Sequence, residues 1–301
     1  MRAVRLNTFG MPVQVEEMPM PVPADDEVLV RVRAGSINPV DWKIAAGYLG
    51  DYFPVPRTMG QDFSGDVEAV GQEVTSLKPG DAVFGMKSGA LADYITVKAD
   101  EIALKPASFD YVQAVALGMP ALCAYQALFE VAHVQEGDRV LIHGAGGGVG
   151  VPAIQLAKQK GASVIVNARN GQADLFRELG VDELIDADDQ RFEEHAGDVD
   201  VILDLVGNEY IDRSLDFCGP DTRYVTPAAF LPPDAGASRG VFAAATATHP
   251  SGQQMAELAE TADAGRLQAI VSRIFSVEEA QQAMDFQQRG GARGRVIVTF
   301  D

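Results

Sequence analysis

The chain has 301 residues, and 43 acidic against 24 basic side chains give a formal charge of −19. That length predicts about two domains, with a core large enough to need neither disulfides nor structural metal. Hydrophobic residues at 47% and charged ones at 22% exclude a disordered chain, and the acidic balance speaks against duplex nucleic acid, whose binding needs basic side chains.

The N-terminus, Met1-Arg2-Ala3-Val4-Arg5-Leu6, reaches Pro12 without an apolar stretch of signal-peptide length. No run of about 18 consecutive apolar residues predicts a spanning helix. The two cysteines, Cys123 and Cys218, are too few and too far apart for a disulfide scaffold or a Cys-rich zinc lobe. A reducing, cytoplasmic location is expected. The first third reads as strands. Val28, Val30 and Val32 alternate with Leu29, Arg31 and Arg33, the period of a half-buried strand. Short apolar runs recur at Phe63–Val70, Ala82–Met86 and Leu91–Val97, with turn signals such as Lys78-Pro79-Gly80-Asp81 and Lys87-Ser88-Gly89 between them.

Ala114–Leu128 is apolar and alanine-rich, a predicted helix interrupted at Pro120. From Arg139 strands and helices alternate: strand Val140–Ile142, helix Val149–Lys160, strand Val164–Val166, helix Asp174–Leu179, strand Val199–Leu205 and helix Ile211–Phe217. Strands near Tyr224 and Val241 follow. Such alternation predicts a doubly wound parallel sheet covered on both faces. Phe230–Gly240 reads as a surface loop. Ile270–Phe275, a short helix Val277–Gln287 and a terminal strand Val296–Phe300 then return to the first domain and make it discontinuous.

Between the first of these parallel strands and its helix lies His143-Gly144-Ala145-Gly146-Gly147-Gly148-Val149-Gly150. A glycine-rich turn from strand to helix cradles a pyrophosphate, because the backbone approaches closely and the helix N-terminus presents N–H groups. A literal G-x-G-x-x-G does not occur; the spacing that fits is Ala145-x-Gly147-x-x-Gly150. The next strand ends Val166-Asn167-Ala168-Arg169, with no carboxylate before Asp174 to bind a ribose diol. Arg169 offers a guanidinium suited to a 2′-phosphate, or is a solvated surface residue. NADPH is therefore expected over NADH. The four histidines share no ligand spacing, and His143 is expected to be structural.

The chain resembles the zinc-free quinone oxidoreductase branch of the medium-chain dehydrogenase/reductase superfamily, which includes zeta-crystallin and the alkenal and enone reductases. The resemblance runs the full length. It rests on Ser36-Ile37-Asn38-Pro39-Val40-Asp41-Trp42-Lys43, Gly60-Gln61-Asp62-Phe63-Ser64-Gly65, Gly80–Gly85, Ala121–Leu128, the glycine turn, Asp200–Gly207 and Arg293–Val298. It implies a GroES-like β-rich catalytic domain, residues 1–120 and 263–301, and a Rossmann dinucleotide-binding domain, residues 121–262, with cofactor and substrate between them. Zinc alcohol dehydrogenases of the superfamily place Cys, His–Glu and Cys where this chain has Asn38, Gln61-Asp62 and Met119, so no zinc site is expected. The implied activity is hydride transfer from NADPH to quinones or α,β-unsaturated carbonyls, whose conjugation activates them without a metal. The alternative is an NADPH-binding sensor, adaptor or structural protein with little turnover, since fold alone does not decide function.

By the same resemblance, Ala145, Gly147, Gly148, Val149, Gly150, Arg169 and Val206 are cofactor contacts. Asn38 donates to the substrate oxygen or the nicotinamide ribose, or else orders the turn before Pro39. Lys43 offers an ammonium to a developing enolate, and Tyr48 is a hydrogen-bond donor or an aromatic wall at the substrate mouth. Cys123 stands where relatives carry Thr beside the nicotinamide, or is a small core residue. A homodimer through an edge strand of the Rossmann sheet, Gly240–Ala245, is also implied.

Overall fold

The computed structural model describes residues 1–169, 171–290 and 292–300. They form two units, Met1–Met119 with His249–Asp301, and Pro120–Thr248.

The first unit opens with β1 (Arg2–Leu6), β2 (Gln14–Glu17), β3 (Glu27–Ile37), α1 (Pro39–Ala45) and β4 (Arg57–Thr58). It continues with β5 (Asp62–Val70), β6 (Ala82–Met86), β7 (Tyr94–Lys98), β8 (Ile102–Leu104) and the part of α2 (Tyr111–Tyr125) up to Met119. The eleven-residue β3 is the spine, pairing antiparallel with β5 and β7. Its first half follows the alternation, with Val28, Val30 and Val32 buried and Arg31 exposed, and beyond it Ala34–Ile37 are buried on both faces. Ala34 lies under Val115 and Ala116 of α2, while Val28, Val30, Val32 and Ile37 join the main core. A methyl at Gly35 would come within 2.6 Å of the Leu91 Cδ2, so Leu91 would have to shift to admit a side chain there.

Pro39 starts α1 at a position where a missing N–H costs nothing. The carboxylate of Asp41 reaches back to accept the backbone N–H of Asn38 at 2.7 Å. Gly47, at φ +86°, ends the helix. The interruption predicted at Pro120 is realised two residues earlier, as a kink at Gly118. A π-helical turn, Gln126–Val131, extends α2. The 21-residue helical stretch Tyr111–Val131 is by length and composition able to cross a membrane, which the run-length reading did not expect. Its apolar window is 72% buried within the protein, as for a core helix.

The second unit contains β9 (Arg139–His143), α3 (Gly150–Gln159), β10 (Ser163–Ala168), α4 (Ala173–Glu178) and β11 (Glu183–Asp186). Then come α5 (Phe192–His195), β12 (Val201–Asp204), α6 (Glu209–Phe217), β13 (Arg223–Thr226) and β14 (Phe242–Ala245). Its six strands lie in the order β11-β10-β9-β12-β13-β14, all parallel, as in a doubly wound dinucleotide-binding sheet. In register, Ile142 of β9 lies between Val166 of β10 and Leu203 of β12, and all three are buried. The strand β14 is an edge, with Phe242 half-exposed.

The chain re-enters the first unit with α7 (Gly252–Asp263), β15 (Val271–Ser276), α8 (Ala280–Gln288) and β16 (Arg295–Thr299). The seven-stranded sheet has the path β15-β16-β3-β5-β6-β8, with β7 also on β3. The second crossing thus falls at Thr248/His249, earlier than the 262/263 boundary read from sequence. The reason is α7. A Cβ on Gly252 would stand 2.6 Å from the Ile102 carbonyl oxygen of β8, and Asp263 accepts the N–H groups of Ala107 and Ser108.

Candidate functional site

In the second unit the glycine turn leaves β9 and enters α3 as expected. Gly144 has φ +74°, and a Cβ there would press on Val206 at 2.9 Å. At Gly150 a Cβ would lie 2.2 Å from the Ala145 carbonyl oxygen, so only glycine lets α3 start this close to the turn. Gly147 is open: a Cβ would meet nothing nearer than the Gly144 oxygen at 3.7 Å. An open backbone cradle at the N-terminus of a ten-residue helix fits a dinucleotide pyrophosphate, which Ala145, Gly147, Gly148, Val149 and Gly150 would hold.

The floor of this turn is a buried polar chain. His143 Nδ1 accepts from Asn167 Nδ2 at 3.0 Å, and its Nε2 lies 3.2 Å from Ser214 Oγ. Burial lowers the imidazole from 6.5 to about 4, with Asp204 opposing the shift and Arg213 adding to it. Asp204, fully buried at the end of β12, accepts the N–H groups of Val206 and Gly207 and the hydroxyl of Tyr224 at 2.6 Å. These bonds fix the loop that carries the half-exposed Val206 beside Gly144.

Arg169 follows β10 with its side chain 87% exposed, and its nearest carboxylate contact is Asp188 at 3.8 Å. A pair that long and that exposed holds a guanidinium weakly. Sequence reasoning missed Gln172. Its amide lies over the turn, donating to the Gly146 oxygen at 3.4 Å, and a Cβ on Gly146 would stand 1.8 Å from Oε1. Cys123 is buried, and burial pushes its thiol above the ordinary range, with a hydrogen bond to Thr248 opposing the shift.

In the first unit Asn38 does more than order a turn. Its Nδ2 donates to Asp62 Oδ1 at 3.1 Å, and its Oδ1 accepts from Arg295 Nη1 at 2.8 Å. Arg295 Nη2 donates to Asp62 Oδ2 at 2.8 Å and to Ser36 Oγ, and Ser36 Oγ in turn donates to Asp62. Asn38 is 4% exposed, Arg295 5% and Asp62 fully buried. Burial raises the Asp62 carboxyl, with Arg295 the main opposing influence. Neighbouring Asp41 accepts the N–H groups of Asn38 and Gly60, and burial lifts it to about 7.

The sequence marks Asp62 only as a residue at a former zinc-ligand position, and Ser36 and Arg295 only as members of motifs. Their meeting depends on β16 lying against β3, with Val296 opposite Ile37. Lys43 and Tyr48 do not join this cluster. They gather at Trp42: Lys43 Nζ is 6.0 Å from the indole centroid, and the ring of Tyr48, 73% exposed, meets it edge-on at 6.2 Å. Among the described residues Lys43 has no carboxylate partner.

These side chains do not fit a zinc ion. Both oxygens of Asp62 are already bonded, Asn38 and Gln61 are neutral amides, and Met119 is a thioether. Among the described residues no three His, Cys, Asp or Glu side chains stand together as a ligand set.

Residues 24–107 match the alcohol dehydrogenase GroES-like domain family, and residues 179–298 match the family described as zinc-binding dehydrogenase. The chain is 31% identical to a quinone oxidoreductase of Sus scrofa, over 99% of this chain and 97% of that one. Among solved structures, a quinone oxidoreductase from Coxiella burnetii superposes with a TM-score of 0.91 at 29% identity, covering 100% of this chain and 99% of the other. CurK enoyl reductase superposes with a TM-score of 0.91 at 26% identity and the same coverage. With a full-length relative, a doubly wound sheet and a GroES-like unit in agreement, the chain belongs to the zinc-free quinone oxidoreductase branch of the medium-chain dehydrogenase/reductase superfamily, a family of nicotinamide-dependent oxidoreductases.

Proposed function

We propose that the chain is a zinc-independent, NADPH-dependent reductase of quinones or α,β-unsaturated carbonyls. The observation that carries the reading is the Ser36–Asn38–Asp62–Arg295 cluster. Asp62 is the one carboxylate standing where zinc relatives carry ligands, and both its oxygens are committed to Ser36, Asn38 and Arg295, so the acceptor must bring its own activation. Bound reduced nicotinamide supplies hydride, and conjugation in the acceptor spreads the charge that follows.

The residues of this chain hold and orient. Ala145, Gly147, Gly148, Val149 and Gly150 cradle the pyrophosphate, and Arg169, weakly held by Asp188, turns to a 2′-phosphate. Cys123 and Val206 pack at the nicotinamide end. Asn38 donates an N–H to the substrate oxygen, the Lys43 ammonium stabilises developing negative charge, and Tyr48 walls the substrate mouth. The quinone oxidoreductases and the enoyl reductase among the similar proteins support this choice of acceptors.

The test is NADPH and NADH oxidation with a panel of quinones, enals and enones, run on the native chain and on Arg169→Ala. The expected result is turnover that prefers NADPH, with that preference lost by about tenfold or more in the variant. Tight NADPH binding with no oxidation across the panel would leave a binding protein instead. An undiminished preference in Arg169→Ala would remove the guanidinium from the 2′-phosphate.

A further inference from the structure

We infer that Arg295 is a positioning residue: with Asp62 it sets the Asn38 carboxamide so that one N–H points out of the cluster as a donor. This rests on the reading above that Asn38 contacts the substrate. The geometry fixes both the place and the polarity of the amide. Its oxygen faces the guanidinium Nη1 at 2.8 Å and its nitrogen faces the carboxylate oxygen at 3.1 Å. A flipped amide would set N–H against N–H and oxygen against oxygen.

Of the two Nδ2 hydrogens, one serves the cluster. Asp62 Oδ1 and Ser36 Oγ lie 3.1 and 3.5 Å from Nδ2 and are hydrogen-bonded to each other, so they take the same N–H. The second N–H is directed away from them. The backbone beneath cannot drift, because Asp41 holds the Asn38 N–H at 2.7 Å and Pro39 follows. Arg295 itself comes from β16, where its neighbour Val296 is in register with Ile37.

A buried ion pair is a poor way to stabilise a core, because desolvation offsets the attraction and apolar side chains of similar volume serve as well. What Asp62 and Arg295 provide that Leu and Met would not is a pair of fixed, oppositely directed hydrogen-bond partners for one amide. Arginine suits this because its planar fork reaches Asn38 and Asp62 with different nitrogens.

A double-mutant cycle on the full chain, with NADPH and one quinone, tests the inference. Asp62→Leu with Arg295→Met removes both charges together, so neither is left buried alone. The expected result is an unchanged NADPH Kd and quinone KM with kcat lower by up to about a hundredfold, the cost of a misplaced contact. In an Asn38→Ala background the same replacement is expected to lower kcat by less than about twofold, because the amide it positions is gone. Should the paired variant not fold, Arg295→Lys keeps the charge but not the fork, and a several-fold kcat loss is expected that vanishes in Asn38→Ala. Undiminished kcat in the paired or Lys variant overturns the inference, as does an equal loss with and without Asn38. Asn38→Ala alone is read separately: native kcat there removes Asn38 from the substrate, and the inference falls with it.

Discussion

His143 makes the stability of the Pro120–Thr248 unit depend on pH. Its Nδ1 accepts from Asn167, so a proton added there would face N–H groups in a buried site. Burial holds the folded imidazole near 4, against 6.5 for the free side chain. The unfolded chain therefore binds the proton first as pH falls. Stability from this group is complete above about 6.5 and is lost as pH drops toward about 4. At 1.36 kcal/mol per pH unit, the loss between about pH 7.5 and about pH 4.5 is about 2–3 kcal/mol. His143→Gln replaces the imidazole with an amide that does not titrate. Urea unfolding of both proteins at the two pH values gives the stability gap between them, and titrations elsewhere cancel in that gap. The gap is expected to move against the native chain by about 2–3 kcal/mol on acidification. A gap that stays constant would mean that the imidazole is not held neutral, and the account of the turn's floor would be wrong.

Gly150→Ala places a methyl 2.2 Å from the Ala145 oxygen, and the helix start must shift. Calorimetric titration is expected to show NADPH binding weakened by about tenfold or more and stability lower by about 1–3 kcal/mol; an unchanged Kd would move the pyrophosphate away from this turn. Cys123, buried and with its thiol pushed up, is expected to react slowly with iodoacetamide, and more slowly still with saturating NADPH. Equal rates with and without NADPH would remove it from the cofactor contacts.

The turn after β9 was readable in the sequence because its requirement is local. A strand, a run of glycines and a helix follow one another within a few residues, and Gly150 answers a contact with the nearby Ala145 carbonyl. The parallel, doubly wound sheet of the second unit was readable for a related reason, since strands alternating with helices admit few arrangements. By contrast β11, Glu183-Leu184-Ile185-Asp186, buries only Ile185 and offers no period to detect. The helix α7 did carry a signal: Met255, Leu258, Ala259 and Ala262 recur at helical spacing behind a Ser251 cap. The polar cluster carried none. Asn38 and Arg295 are 257 residues apart, and only the tertiary pairing of β16 with β3 brings a guanidinium to that amide.

That cluster carries a titration of its own. Two buried carboxyls, Asp41 and Asp62, lie beside the buried Arg295, and the half-buried Arg57 guanidinium also attracts Asp41. Desolvation, with Asp62 adding to it, lifts Asp41 to about 7, against the pull of the Asn38 and Gly60 N–H groups and of Arg295. The folded form holds this proton after the unfolded chain has released it, so the contribution to stability falls as pH rises from about 3.8 to about 7. The sign is opposite to that of His143. Over this interval acid favours the first unit through Asp41, and base favours the Pro120–Thr248 unit through His143. A proton on Asp41 leaves Asp62 and Arg295 as a balanced pair, the state in which Asn38 feels one donor and one acceptor and no excess charge.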